Sequence, residues 1–212
     1  TRGEDITQWA PALKLIAASD IAAVTGVSSA ALDEVAQYQV VAPEKLHVIY
    51  NGVETTRFVS SPELRNLWRK RWNIPDEAFV FGSAGRLIPV KRFDVALSAF
   101  VEIARERSDV HFALAGDGEL SGALRAQANQ LGIADRVHFL GFQADANNFY
   151  NSLDAFVLSS DSEGLANVIL EALIIGLPCI ATAVGGNPEV LENVGILVPP
   201  GSINLMAQAM RE

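Results

Sequence analysis

From residue 79 onward, short uninterrupted apolar runs alternate with amphipathic segments of helical length. Apolar runs without polar alternation are typical of parallel strands that are covered on both faces. The predicted strands are Phe79–Ala84, Val110–Ala115, Val137–Leu140, Ala155–Leu158, Cys179–Thr182 and Ile196–Val198. The predicted helices are Phe93–Glu106, Leu120–Leu131, Ala146–Asn151, Ala166–Ile175 and Ile203–Arg211. This order predicts an α/β domain with a doubly wound parallel sheet.

The first part of the chain has a different pattern. It predicts a helix over Asp5–Ala18, a strand over Asp20–Val27 and a second helix over Ala30–Gln39, capped by Ser28-Ser29. One strand and two helices are too few to form a domain of their own. The segment Val48–Val53 contains an Asn-Gly pair, which predicts a turn that links this part to the domain that follows.

Composition narrows the class of protein. The chain has 212 residues, of which 50% are hydrophobic, and this composition predicts a folded chain of one to two domains. A formal net charge of -9 argues against a broad nucleic-acid-binding face, which needs clustered Lys and Arg. The locally basic segment Arg65–Trp72 is interpreted as a solvated helix face. The single cysteine, Cys179, excludes an internal disulfide, and no apolar run reaches the roughly 20 residues of a membrane span.

Doubly wound domains bind ligands outside the carboxyl ends of their strands, so the loops after the strands are the candidate sites. The loop after the first predicted strand carries Gly85, Arg86 and Lys91 directly before the helix that begins near Phe93. Two cations beside a helix N-terminus predict an anion site, although solvated surface charge is an equal alternative for this loop alone.

Two further loops carry candidate residues. Gly116-Asp117-Gly118 resembles the start of a dinucleotide fingerprint, but Ser121 stands where the third glycine belongs, so only a tight glycine turn is predicted. Glu163 lies just before the helix that carries Glu171. Carboxylates repel phosphates, so these two side chains are useful beside a nucleotide only as acceptors for hydroxyl groups, whereas dipole stabilisation is an equal alternative for Glu163. Glu171 lies on an otherwise apolar helix, which favours a functional role.

The sequence gives little support for a metal site or for a catalytic triad. Asp161 and Glu163 form a loose acidic pair, but no histidine or further carboxylate accompanies them at ligand spacing, so no metal site is expected. The histidines His47, His111 and His138 offer no catalytic triad, and the last two are interpreted as satisfied residues of strands.

Ordered motifs then carry a family resemblance. They are Asn51-Gly52-Val53-Glu54 followed by Phe58, Gly85-Arg86-Leu87 followed by Lys91, Leu114-Ala115-Gly116-Asp117-Gly118, Phe139-Leu140-Gly141, Glu163-Gly164-Leu165 followed by Leu170-Glu171-Ala172-Leu173, Gly176-Leu177-Pro178 and Ala181-Thr182, and Gly195 followed by Val198-Pro199-Pro200-Gly201. Over about residues 48–212 this order resembles the donor-binding C-terminal domain of retaining GT-B glycosyltransferases, of the glycosyltransferase family 4 type (glycosyl transferases group 1). The implied fold is Rossmann-like. Arg92 departs from the pattern, since a glycine is common there.

The resemblance also implies roles for single residues. Arg86 and Lys91 would hold the diphosphate of a nucleotide sugar, and with Glu163 they form the catalytic set. Glu163 would bind the donor sugar hydroxyls and Glu171 the ribose. The remaining residues of the implied donor site are Gly116, Leu140, Phe142, Gly164 and Leu165, with Leu140 and Phe142 in the loop that holds the base. The implied substrate is a UDP-sugar, transferred with retention and without a metal or other cofactor.

The resemblance further implies a domain organisation. Residues 1–47 resemble the end of the acceptor-side N-terminal domain, and residues 48–212 form the donor-binding domain of a longer transferase, inactive by itself. The acceptor, a sugar or a lipid-linked glycan, would bind through the other domain. The implied location is the cytoplasm or the inner face of the membrane, where peripheral contact stays open. Two alternatives also stay open: a sugar-nucleotide epimerase or phosphorylase of similar architecture, and a non-catalytic nucleotide-sugar-binding module.

Overall fold

The computed structural model describes residues 21–37 and 41–212. The chain divides into two compact units, Thr1–Gly52 and Val53–Glu212. The domain boundary predicted at 47/48 lies a few residues before this division. The interpretation of residues 1–47 as part of an acceptor-side domain stays a prediction, and the predicted helix Asp5–Ala18 lies outside the described residues.

The first unit contains two parallel strands and a helix in its described part. Strands β1 (Val24–Gly26) and β2 (Leu46–Val48) pair in parallel, and helix α1 (Ser29–Ala36) lies between them in the chain. The Ser28 side chain accepts a hydrogen bond from the Ala31 amide, as expected for an N-cap. The sequence did not predict β2. The Asn-Gly turn predicted within Val48–Val53 is also wrong, because residues 49–54 follow an irregular path without a turn.

The second unit has the predicted α/β architecture. Its strands are β3 (Phe79–Ala84), β4 (Val110–Ala115), β5 (Val137–Gly141), β6 (Ala155–Leu158), β7 (Cys179–Thr182) and β8 (Ile196–Val198). Its helices are α2 (Pro62–Arg71), α3 (Phe93–Glu106), α4 (Ser121–Gln130), α5 (Ala146–Asn151), α6 (Asn167–Ile175), α7 (Asn187–Leu191) and α8 (Ile203–Ala209). Three short 3-10 helices, Pro43–Lys45, Thr55–Arg57 and Pro89–Lys91, complete the described elements of the chain.

The six strands of this unit form one parallel sheet in the order β5-β4-β3-β6-β7-β8. The order therefore reverses between β3 and β6. This is the topological switch point of a Rossmann-like sheet, where a crevice opens at the carboxyl ends of the strands. The fold class predicted for this part of the chain is confirmed.

The two faces of the sheet bury separate apolar clusters. Along β6, Ala155 and Val157 belong to the cluster that includes α3 and α8, whereas Phe156 and Leu158 belong to the cluster that includes α5 and α6. The alternation follows from the strand geometry, since successive side chains point to opposite faces. Burial of both faces explains why the strands appear as uninterrupted apolar runs in the sequence.

Helix α2 corrects the interpretation of the basic segment Arg65–Trp72. Arg69 is fully buried, and its guanidinium donates to the carbonyls of Ser152, Asp76 and Ala78 and to the Asp154 carboxylate, the last at 2.6 Å. Burial is the largest influence on this group and lowers the Arg69 pKa, while Asp154 raises it. The Arg69 side chain therefore points into the interior of the protein, where buried backbone carbonyls need a hydrogen-bond donor.

Candidate functional site

The loops after β3 and β4 approach each other closely at the switch point. The Gly85 amide donates to the Ala115 carbonyl at 3.0 Å, and the Gly116 amide donates to the Gly141 carbonyl at 2.8 Å. Leu87 is buried and its amide donates to the Asp117 carbonyl at 2.9 Å. The loop that carries Arg86 is therefore fixed against the next loop by backbone hydrogen bonds.

A cavity of about 340 Å³ opens beside these loops. It is lined by Ala84, Gly85, Arg86, Ala115, Gly116, Asp117, Phe142, Gln143, Ala146, Phe149, Tyr150, Val168 and Glu171. Four of the predicted site residues, Arg86, Gly116, Phe142 and Glu171, are among them. Phe142 leaves 78% of its surface exposed, although it is a large apolar side chain. The cavity thus combines one cation, two carboxylates and an exposed aromatic ring.

The predicted cations differ in their surroundings. Arg86 is exposed and has no ion pair with any residue that the structure describes. Lys91 Nζ lies 2.6 Å from Glu163 Oε1. The Lys91 chain passes beside Gly85, since a Cβ built on that glycine would lie 3.7 Å from Lys91 Cε. Lys91 and Glu163 therefore adjoin the cavity without being among its lining residues.

Two hydroxyl groups hold the loop of Glu163. The Ser160 hydroxyl donates to Glu163 Oε1 at 2.6 Å, so this oxygen accepts from both Ser160 and Lys91. The Thr182 hydroxyl, at the end of β7, donates to the Ser160 carbonyl at 2.6 Å. Ser160 and Thr182 are fully buried. The sequence analysis assigned neither of them a role, because a serine or threonine hydroxyl carries no signal until its partner is known.

The other predicted residues lie near this group or below the cavity. The Gly164 carbonyl accepts from the Gly186 amide at 2.7 Å, and Leu165 is 8% exposed. Leu140 packs against the cluster that contains α5 and α6, and its carbonyl accepts from the Gln143 side chain at 2.7 Å. None of these three lines the cavity, and their predicted contacts with a donor stay predictions.

Glu171 has a partner that the sequence analysis did not predict. The Tyr150 hydroxyl donates to Glu171 Oε2 at 2.7 Å, and Tyr150 is fully buried. Burial is the largest cause that raises the Tyr150 pKa above its ordinary value, and the nearby Glu171 carboxylate adds to it. Tyr150 thus gives Glu171 a buried hydrogen-bond donor on the apolar helix α6, where a carboxylate without a partner would be costly.

Arg92, the departure from the family pattern, has a left-handed backbone with φ 47° and ψ 42°. This conformation is unfavourable for most side chains and explains why a glycine suits the position. The Arg92 guanidinium pairs with Asp94 at 3.1 Å and with Asp161 at 3.0 Å. These hydrogen bonds raise the Arg92 pKa, with Asp94 as the larger cause. The Asp161 pair joins the loops that follow β3 and β6.

The two histidines of the large sheet pair with each other. His111 Nδ1 and His138 Nε2 are 2.9 Å apart, on adjacent strands and away from the lining of the cavity. In the part of the chain that the structure describes, no three His, Cys, Asp or Glu side chains are grouped to hold a metal ion. None of the helices described has both the length and the apolar character that a membrane span requires.

The parallel sheet, its strand order and the cavity at the switch point define the chain as a Rossmann-like α/β protein of the kind found in GT-B glycosyltransferases. The family model described as glycosyl transferases group 1 matches residues 65–212. The chain belongs to the glycosyl transferases group 1 family.

Two curated relatives illustrate the family. The chain is 33% identical over 174 residues to an Escherichia coli enzyme named UDP-Gal:alpha-D-GlcNAc-diphosphoundecaprenol alpha-1,3-galactosyltransferase, covering 79% of this chain and 45% of that one. It is 32% identical over 171 residues to N-acetyl-alpha-D-glucosaminyl L-malate synthase of Bacillus anthracis, covering 80% and 44%. The chain thus spans less than half the length of these relatives.

Solved structures agree with the fold. Anabaena Alr3699/HepE in complex with UDP and glucose has a TM-score of 0.89 at 26% identity, covering 100% of this chain and 58% of that chain. The C-terminal domain of a glycosyl transferase group 1 protein (LpcC) from Francisella tularensis has a TM-score of 0.67 at 27% identity, covering 76% and 86%. That structure is of a C-terminal domain alone, and its fold is similar to that of this chain.

Proposed function

We propose that the chain is the donor-binding part of a retaining hexosyltransferase that takes a sugar from a UDP-sugar. In this proposal residues 48–212 bind the nucleotide sugar. The acceptor, a sugar or a lipid-linked glycan, is bound by another domain. The chain therefore binds the donor but transfers nothing by itself.

The observation that most directly supports the proposal is the arrangement at the switch point. Arg86 and Glu171 line one cavity, and the Lys91–Glu163 pair adjoins it. A nucleotide sugar needs cations for its diphosphate and hydroxyl acceptors for its two sugar rings, and both kinds of group occur here within a crevice typical of nucleotide binding.

In the proposed reaction these groups act on the leaving diphosphate. As the bond between the anomeric carbon and the phosphate oxygen breaks, negative charge develops on the diphosphate. The anomeric carbon forms its new bond to the oxygen of an acceptor hydroxyl on the same face, and the proton of that hydroxyl passes to the leaving diphosphate. Arg86 and Lys91 stabilise this charge, together with the amides that begin α6, where no side chain caps the N-terminus at Ala166. Glu163 orients the sugar through its hydroxyls. No metal takes part in the proposal.

The nucleotides named for similar proteins guide the choice of nucleotide. The Escherichia coli relative is named for UDP-Gal, and the Anabaena structure contains UDP. A Mycobacterium tuberculosis relative, 33% identical over 172 residues, is named a GDP-mannose-dependent mannosyltransferase. Phe142, exposed at the cavity, offers a flat apolar surface for the base in the proposed site. We therefore propose UDP as the nucleotide of the donor and take GDP as the alternative to be tested.

The test is titration calorimetry of the full 212-residue chain with UDP, GDP and ADP, each with and without EDTA. We expect UDP to bind most tightly and EDTA to leave its affinity unchanged. Absence of binding for all three nucleotides would contradict the proposal, and an affinity that EDTA abolishes would contradict its metal-free form.

Arg86→Ala provides the sharpest variant, because Arg86 lines the cavity and has no competing ion pair among the described residues. Charge-assisted hydrogen bonds to phosphate contribute roughly 1.5 to 3 kcal/mol, so UDP affinity should fall about tenfold or more. Arg105→Ala is the matched control, since it removes the same charge from an exposed pair with Glu102 on α3. Equal affinities of the two variants would remove Arg86 from the site.

A further inference from the structure

Tyr150 is held in one position by its neighbours. It lies on α5 with no exposed surface, and its ring contacts those of Phe58, Phe149 and Phe156 at centroid distances of 5.9, 5.4 and 5.7 Å. A ring packed on several sides cannot change rotamer without opening the core. Its hydroxyl is therefore a donor at a fixed point.

That hydroxyl engages one oxygen of a carboxylate that lines the cavity. It donates to Glu171 Oε2 at 2.7 Å, and both residues are part of the cavity wall. Because burial raises its pKa, the phenol keeps its proton throughout the range in which Glu171 is used as an acceptor. The bond fixes the rotation of the carboxylate and leaves Oε1 for a second donor.

We propose that Tyr150 is a positioning residue that holds Glu171 so that its other oxygen accepts from a ribose hydroxyl. The site then prefers ribonucleotides to nucleotides that lack these hydroxyls. This inference rests on the proposed function. Without Tyr150 the carboxylate loses its fixed rotation and its hydrogen-bond donor, and ordering it again reduces the gain from the ribose contact.

The experiment measures the ratio of two dissociation constants, for 2',3'-dideoxy-UDP and for UDP, by calorimetry on the full chain. For the unsubstituted chain we expect a ratio of about ten, the size of one hydrogen bond to a charged group. Tyr150→Phe keeps the ring and removes the hydroxyl, and should lower this ratio by about threefold. A merely structural role would weaken both ligands equally and leave the ratio unchanged.

Two further variants separate position from stability. In Glu171→Ala the ratio should fall close to one, and adding Tyr150→Phe should lower it no further, because the two residues act through one contact. Ser152→Ala removes a buried hydroxyl that donates to the Phe149 carbonyl and should keep the full ratio. An additional loss in the double variant would overturn the inference.

Separate control experiments address failure to fold and failure to bind nucleotide. If Tyr150→Phe does not fold, fluorotyrosine at position 150 keeps the hydroxyl as a donor, and loss of the ratio with it would overturn the inference. If no nucleotide binds the unsubstituted chain, the proposed function fails and the inference fails with it. If UDP binds and Tyr150→Phe keeps the full ratio, the inference alone fails.

Discussion

At the scale of single residues, Gly116 shows how closely the backbone must approach at the site. Its φ is 132°, and a Cβ built on it would lie 1.9 Å from the Gly85 carbonyl oxygen. No side chain fits there without moving the loop after β3, which carries Arg86. The glycine that resembled an incomplete dinucleotide fingerprint therefore has a steric function at the meeting of two loops.

Gly116→Ala should destabilise the chain and weaken UDP binding. The added methyl group must push the Gly85 backbone away, which costs about 2 kcal/mol or more of unfolding free energy and displaces Arg86. Urea unfolding and calorimetry measure the two effects. Gly122→Ala is the matched control, since a Cβ there meets no atom within 4 Å beyond its chain neighbours and the backbone of its own helix, and helix α4 favours alanine by up to about 1 kcal/mol. Equal stability of both variants would contradict the steric explanation.

At the scale of elements, α2 is held by an ion pair whose arginine is fully buried and whose aspartate is partly exposed. Arg69 and Asp154 are separated by 85 residues in sequence, and Asp154 also accepts from the Val80 amide at 2.7 Å. One guanidinium thus joins α2, the loop before β3 and the loop before β6. Arg65 of the same helix also pairs with Asp154, at 2.9 Å, so both arginines connect α2 to the loop before β6.

Arg69→Ala should lower the free energy of unfolding by about 3 kcal/mol, because it removes the guanidinium donor of the Ala78 and Ser152 carbonyls, while Asp154 keeps Arg65 and the Val80 amide as partners. Chemical denaturation followed by circular dichroism gives the value. Lys70→Ala, on the exposed side of the same helix, should change stability by less than about 0.5 kcal/mol. A small effect of Arg69→Ala would show that the network contributes little.

Elements were predictable where one local rule governs them. The bounds of α3 and of five strands in the large sheet agree with the predictions, because burial on both faces imposes uninterrupted apolar runs. Strand β2 and helix α7 were missed, since each is short and is stabilised by neighbours distant in sequence. The inward direction of Arg69 was mispredicted, because the composition of a helix does not show which carbonyls need a donor.

The candidate site was also predictable only in part. The loops after the strands indicated Arg86, Gly116 and Glu171, and the family resemblance added Phe142; all four line one cavity. The contacts that orient the site, from Tyr150 to Glu171 and from Thr182 to the Ser160 carbonyl, join residues about twenty positions apart. Such pairs follow from the order of the strands, which no local motif contains.

At the scale of the whole molecule, the pair His111 and His138 links stability to pH. Burial is the largest cause that lowers both pKa values, and that of His138 falls to about 4 from an ordinary value of 6.5. Between these values the unfolded chain binds more protons at His138 than the folded chain does. The free energy of unfolding therefore rises with pH across this range and is lost as the pH falls through it.

His138→Gln should flatten this dependence. Between about pH 4 and 6.5 the unsubstituted chain should lose on the order of 2 kcal/mol of stability through His138, and the variant should lose correspondingly less. Urea titrations at several pH values measure the slope. His47→Gln, an exposed histidine of the first unit, should keep the original slope. Parallel slopes for all three chains would contradict the assignment.

The sheet that divides the second unit into two apolar clusters also has a consequence for engineering. Phe149, Tyr150 and Val168, which line the cavity, pack in the cluster of α5 and α6, while α3 and α8 pack in the other. Energetic effects of substitutions that share no contacts add. The half of the core around Phe100 and Met206 is thus open to stabilising redesign that leaves the cavity at the switch point as it is.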